Sequence, residues 1–279
     1  MKKIVSIIVA IATLIGACWS CGPAIINKYA KKNQNVSEKQ WNEIKYAAML
    51  SDLTYKDEKV IKGELPDAWT YELPKQQSRI ILITNHIKQE HWLAIRGTAN
   101  KHNAIMDAEY IKVKDSKLKI NVHKGFHDLA HAAWVQFSQR MVPHYQIKVT
   151  GHSLGGAAAV IVGMYFKVDG GDVAKIITFG QPKVTNEKGC KKFWDLPLIR
   201  IVDNKDIVPL VPPLTLLSFI GGQYRHLGEE IILHKGSWLW LSKHDANRVL
   251  VSGTWSNLLS ESVEDHYMKN YINRLNSIP

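Results

Sequence analysis

Residues 149–160 read VTGHSLGGAAAV, with Ser153 set between Gly151 and Gly155 in an otherwise apolar run. Ile147 to Thr150 is β-rich, and the residues after Ser153 are small and apolar, as a buried helix requires. A strand therefore enters this corner and a helix leaves it. Gly-x-Ser-x-Gly at such a junction holds the serine hydroxyl on a sharp turn above the end of a sheet. Glycine has no Cβ, so Gly151 and Gly155 let strand and helix pack close around the turn, and Gly156 with Ala157, Ala158 and Ala159 extends that approach. The pentapeptide also suits a tight turn with an idle serine, but the flanking strand and small-residue helix favour the corner. The helix beginning at Leu154 points its free N–H groups and dipole at the serine, where they favour developing negative charge.

The segments around this corner set the fold class. Ser37 reads as an N-cap, and Trp41, Ile44, Ala48 and Leu50 follow at helical spacing, so a helix is expected over 38–54. Residues 79–84 and 91–96 are two β-rich runs around a polar NHIKQE turn, the pattern of a hairpin. A helix is expected from about Gly125 to Met141, ended by Pro143. After the corner, Asp169-Gly170-Gly171-Asp172 is a turn, and AKIITFGQP and PLIRIVDN read as buried strands. Apolar runs without clean alternation, interleaved with helices, argue for a largely parallel α/β sheet.

A serine at its ordinary pKa is a weak nucleophile and needs a base, which in turn needs an acid to orient it. Acids in the right region are Asp169, Asp172, Asp195, Asp203 and Asp206; histidines are His226, His234, His244 and His266. Spacing alone does not choose among them. Local context favours Asp206, just beyond the carboxyl end of the RIVDN strand, where sites of open α/β sheets collect. Asp203 lies closer to the strand and suits a turn role. His266 lies near the C-terminus, ahead of a short amphipathic segment.

Six segments, RGT (96–98), HKGF (123–126), GHSLGGA (151–157), TFGQPKV (178–184), DIVPLVPP (206–213) and DHYMKNYI (265–272), resemble, in order, the class 3 (fungal-type) lipases. The resemblance spans roughly residues 40–275. It implies an α/β-hydrolase fold, with a mostly parallel central sheet flanked by helices. It also implies a catalytic set of Ser153, Asp206 and His266, and an oxyanion hole from Thr98, by backbone N–H and hydroxyl, and from the backbone N–H of Leu154. It further implies a lid over Ala99 to about Tyr110, where the apolar members Ala104, Ile105 and Met106 are few, so strong interfacial activation is not expected. The implied substrate is a lipid ester; no cofactor or metal is required.

Composition frames the rest. At 279 residues and 46% hydrophobic, the chain suits one domain, expected over 37–279. Residues 1–17 read as a signal peptide: a basic start, then an apolar stretch too short for a comfortable membrane span. The LIGAC sequence resembles a bacterial lipobox, which implies lipidation at Cys18, a tether over 18–36, export across the inner membrane of a bacterium and attachment to a membrane. Three cysteines make no disulfide framework, no Cys/His cluster has metal-site spacing, and Cys190 lacks the setting of a reactive thiol. The net charge of +11 favours an anionic partner, here a phospholipid surface. Nucleic acid is not expected, because no aromatic-interleaved basic repeat or zinc finger is present. A monomer is expected. Trp238 and Trp240, at alternate positions of a strand, read as sheet-face packing, and His226 as structural. Three functions stay open: a lipase or carboxylesterase, a phospholipase A1 acting on anionic phospholipid, and an inactive binding module on the same fold.

Overall fold

The computed structural model describes residues 31–32, 36–97, 111–206, 208–210, 224–244, 246 and 263–278. Cys18, Thr98, residues 1–30 and the expected lid over 99–110 lie outside the described residues.

Among the described residues, the first elements are β1 (Lys31–Lys32), α1 (Glu38–Leu53) and α2 (Glu58–Glu64), followed by β2 (Trp69–Leu73), β3 (Ser78–Asn85) and β4 (Glu90–Ile95). A short pair, β5 (Lys112–Lys114) and β6 (Asn121–His123), leads into α3 (Lys124–Ser138). Then come β7 (Gln146–His152), α4 (Leu154–Val168), β8 (Val173–Phe179), β9 (Thr185–Asn186) and α5 (Glu187–Lys192). The chain closes with β10 (Leu198–Asp203), β11 (Tyr224–Arg225), β12 (Glu229–His234), β13 (Ser237–Leu241) and α6 (Met268–Asn276).

The main sheet has the order β1-β13-β12-β10-β8-β7-β4-β3-β2. Its five central strands, β12, β10, β8, β7 and β4, are parallel, with antiparallel strands at both edges. This is the α/β-hydrolase arrangement that the sequence implied.

Side-chain alternation along the strands divides the interior into two cores. Ile80, Leu82, Leu93, Ile95, Ile147, Val149 and Ile176 face α3 and α4. Their sequence neighbours Ile81, Trp92, Ala94 and Ile177, with Phe179, Ile199 and Ile201, face α1 and α6. α4 is apolar nearly all round because it is enclosed: every residue from Gly155 to Phe166 is buried.

Most expected elements form close to the expected limits. Ser37 caps α1, its hydroxyl accepting from the Gln40 N–H at 3.3 Å. The hairpin forms as β3 and β4, and Asn85 holds its turn by accepting from the Lys88 N–H. Helix α3 stops at Ser138, five residues ahead of Pro143, where the Ser138 hydroxyl bonds back to the Trp134 carbonyl and competes with continuation of the helix. The expected tether over 18–36 is not wholly free. Lys31 and Lys32 pair with Trp240 and Leu239, covering backbone groups that the edge strand β13 would otherwise leave unpaired. Trp238 packs edge-on against Trp41 at 5.0 Å, and Trp240 joins the same core, so both belong to sheet-face packing as expected. A second sheet, β11-β9-β6-β5, was not foreseen.

Candidate active site

Four adjacent parallel strands, β4, β7, β8 and β10, end on one rim of the sheet, and the residues just past their ends are Gly97, Ser153, Gly180 and Asp206. This rim is where open α/β sheets place their sites. Ser153 has φ 59° and ψ −129°. That left-handed region is unfavourable for a residue with a side chain, costing on the order of 1–3 kcal/mol. The strain is held from both sides. The Ser153 N–H donates to the Phe179 carbonyl at 2.9 Å, and the Ser153 carbonyl accepts from the Ala157 N–H at 3.1 Å.

The glycines do what the corner demands. A Cβ on Gly155 would collide with the Ile95 carbonyl and stand 2.8 Å from the Gly97 nitrogen, so α4 starts directly against the end of β4. Leu154 is the first residue of α4, and its N–H has no partner within the helix. Leu154 also lines a cleft of about 610 Å³, together with Leu129, Ala132, Lys75, His127 and His131.

Asp206 and His266 meet although sixty residues separate them. His266 Nδ1 lies 2.7 Å from Asp206 Oδ2, and both side chains are fully buried. The Val208 N–H donates to Asp206 Oδ1 at 2.8 Å, and the Tyr271 hydroxyl donates to Oδ2. Burial and the neighbouring carboxylate push the Tyr271 phenol far up, so it remains a donor. His266 Nε2 is buried and, among the described residues, has no hydrogen-bond partner. Gly180, at φ 55°, makes room for this pair: a Cβ there would lie 2.7 Å from Asp206 Oδ2 and 2.8 Å from His266 Nδ1.

The other candidates stand apart from this pair. Asp203 closes β10 and accepts from the Lys205 N–H and from Arg274. Burial pushes its carboxyl up despite those partners. His226 is buried, with Nε2 2.7 Å from the Pro209 carbonyl, and burial beside Arg200 and Lys183 holds it well below the usual histidine range. Asp169 pairs with Lys117, and Asp195 with Lys167. Cys190 is a free buried thiol pushed up to about 12. Among the described residues, no group of three His, Cys, Asp or Glu side chains is arranged to hold a metal ion.

The family profile described as Lipase (class 3) matches residues 92–216, which carry the corner, the Gly180 turn and Asp206. Over that segment the chain is similar to the class 3 lipases. It is 30% identical over 154 residues to a lipase of Rhizomucor miehei, an alignment covering 50% of this chain and 40% of that protein. It is 29% identical over 196 residues to an Arabidopsis thaliana protein named Phospholipase A1-Igamma2, chloroplastic, covering 52% of this chain and 37% of that one. The chain thus aligns with less than half the length of either relative. Its fold matches the crystal structure of Lip2 lipase from Yarrowia lipolytica with a TM-score of 0.66 at 22% identity, over 85% of this chain and 96% of that one.

Two further residues reach the candidate site, Tyr55 and Tyr271. Tyr55 lies in none of the six segments and Tyr271 lies within DHYMKNYI, but neither carries a sequence signal for its contact, and each reaches the site because α1 and α6 pack on the same face of the sheet. His152 lies inside the GHSLGGA segment, and its ring lies 4.4 Å from that of His266.

Proposed function

We propose that the protein is a carboxylic ester hydrolase acting on lipid esters of the acylglycerol type through Ser153, His266 and Asp206. One observation carries the reading. A strained Ser153 stands at the strand–helix corner, while on the same rim a buried carboxylate holds an imidazole whose other nitrogen has no hydrogen-bond partner among the described residues. His266 Nε2 takes the Ser153 proton as Oγ attacks the ester carbonyl. Asp206, held by Val208 and Tyr271, orients the ring and stabilises the imidazolium. The Leu154 N–H, at the positive end of the α4 dipole, and Thr98 receive the oxyanion. The imidazolium then protonates the leaving alcohol, and water hydrolyses the acyl-enzyme by the same steps reversed. None of these steps calls on a cofactor.

The test is covalent labelling with a fluorophosphonate. Wild-type protein should label and Ser153→Ala should not, while keeping its fold and losing turnover. A wild-type chain that fails to label would support the inactive binding module instead. A second reading, phospholipase A1, draws support from the net charge of +11 and from the name of the Arabidopsis relative. It requires phosphatidylglycerol to be hydrolysed faster than neutral acylglycerol at low salt, with the preference shrinking as salt screens the surface. Equal rates on both lipids would reject it.

A further inference from the structure

Beneath the candidate nucleophile runs a chain of hydrogen bonds that the catalytic steps above do not use. His152 Nε2 lies 2.7 Å from the backbone carbonyl of His266. A carbonyl only accepts, so Nε2 carries the hydrogen. In the neutral ring Nδ1 is then bare and accepts, which makes the Tyr55 hydroxyl, 2.9 Å away, its donor. The Tyr55 oxygen in turn accepts from the Gly97 N–H at 3.2 Å. Every link has one direction: Gly97 N–H to Tyr55, Tyr55 O–H to His152, His152 N–H to His266. His152 is fully buried, and burial pushes the Tyr55 phenol up, which keeps it protonated and able to fill its place.

The two ends of this chain matter. One is the backbone of the base. The other is the residue directly before Thr98, at the strand end that touches the corner: a Cβ on Gly97 would stand 3.2 Å from the Ser153 Cβ. The middle link, His152, is covalently joined to Ser153. We propose that Tyr55 and His152 are positioning residues that tie the His266 backbone to the β4 terminus through the residue preceding the nucleophile, so that base, nucleophile and oxyanion side keep one spacing. His152 meets the base at its backbone carbonyl and by ring contact, with centroids 4.4 Å apart, and neither Tyr55 nor His152 moves a proton in the catalytic steps above. The inference rests on the hydrolase reading, because the spacing has a purpose only if the three groups act together. Misplacement by about 1 Å can cost roughly a hundredfold in rate, and loss of one tether of several should cost less.

Tyr55→Phe tests this directly. It keeps the edge-on ring packing against His152, with centroids 5.8 Å apart, and deletes only the hydroxyl. On the full chain, kcat for a soluble short-chain ester and the rate of fluorophosphonate labelling should each fall about tenfold, an energy scale of one hydrogen bond. KM should stay near wild type, and labelling should still run to completion, showing that the fold is intact. His152→Asn, too short to span both partners, should act in the same direction. The double variant should be no slower than the slower single, because both changes cut one chain. A Tyr55→Phe rate equal to wild type, or a thermal shift without a loss of kcat, would overturn the proposal while leaving the hydrolase reading in place; so would additive losses in the double variant. Failure of the wild type itself to label would overturn both.

Discussion

At Ser153 the backbone is held where a side chain is unwelcome, and the neighbouring carboxylates divide their work by what surrounds them. Asp206 faces His266, with Val208 and Tyr271 as its other donors, whereas Asp203 faces Arg274 and the Lys205 N–H. They stand three positions apart in the sequence, and both lie at the end of the same strand. Asp206→Asn should therefore cut kcat by something near 10⁴, the scale seen when an orienting acid is neutralised and the imidazole takes the wrong tautomer. Asp203→Asn should leave kcat close to wild type. Steady-state kinetics on the two variants checks the assignment, and the reverse ranking would move the acid to Asp203. The two residues share one composition and one neighbourhood in the chain, so apart from the lipase resemblance, which implied Asp206, sequence could favour one only by its distance past the strand. The direction of each carboxylate was set by the helix and loop that fold over it.

At the scale of elements, the decisive contact is that of α4 against the end of β4. Gly155 has no space for a methyl group, since the Ile95 carbonyl and the Gly97 nitrogen occupy it. Gly155→Ala should push the start of α4 away from the β4 terminus. It should destabilise the protein by about 1–3 kcal/mol, the usual cost of overpacking, and should slow fluorophosphonate labelling even where the variant remains folded. Denaturant unfolding and labelling on the same preparation measure both effects, and a variant normal in both would show that the close approach is dispensable. The same contact explains why this part of the fold was legible: close packing demands small residues, and small residues are visible in a sequence. The α1 helix and the β3–β4 hairpin were legible for a related reason, since capping and periodic burial leave marks over many residues. The second sheet left none. Its strands β9 and β11 are two residues each and β5 and β6 three, too short for a period to register. The β1 pairing with β13 was hidden likewise, because two lysines in a polar stretch carry no strand signal.

For the molecule as a whole, charge is buried as well as displayed. Arg200 and Glu230 form a fully buried ion pair, with the Arg200 Nε also donating to the Leu227 carbonyl. Lys183 shares this region and is electrostatically coupled to Arg200, and burial followed by that neighbour lowers its pKa from 10.5 to about 8. The unfolded chain thus binds more protons than the folded one between about pH 8 and 10.5, so this group makes stability rise with pH across that window. At pH 7 it opposes folding by something on the order of 3 kcal/mol. Lys183→Met should accordingly be more stable than wild type at pH 7, and its advantage should shrink as pH rises from 8 towards 10.5. Urea unfolding of both proteins across that range measures it, and a difference independent of pH would reject the buried-lysine account.

Sequence by itself determined the α/β class, the corner at Ser153, the largely parallel character of the sheet and the resemblance to the class 3 lipases. Each of these is written in local features: glycines where backbones touch, apolar runs where strands are enclosed, small residues where a helix starts against a sheet. Only the tertiary structure decided which acid meets which histidine. It alone brought Tyr55 and Tyr271 to the rim and linked His152 to the backbone of His266. Those contacts join residues far apart in the chain, and their directions depend on how α1 and α6 pack across one face of the sheet, which no local pattern records.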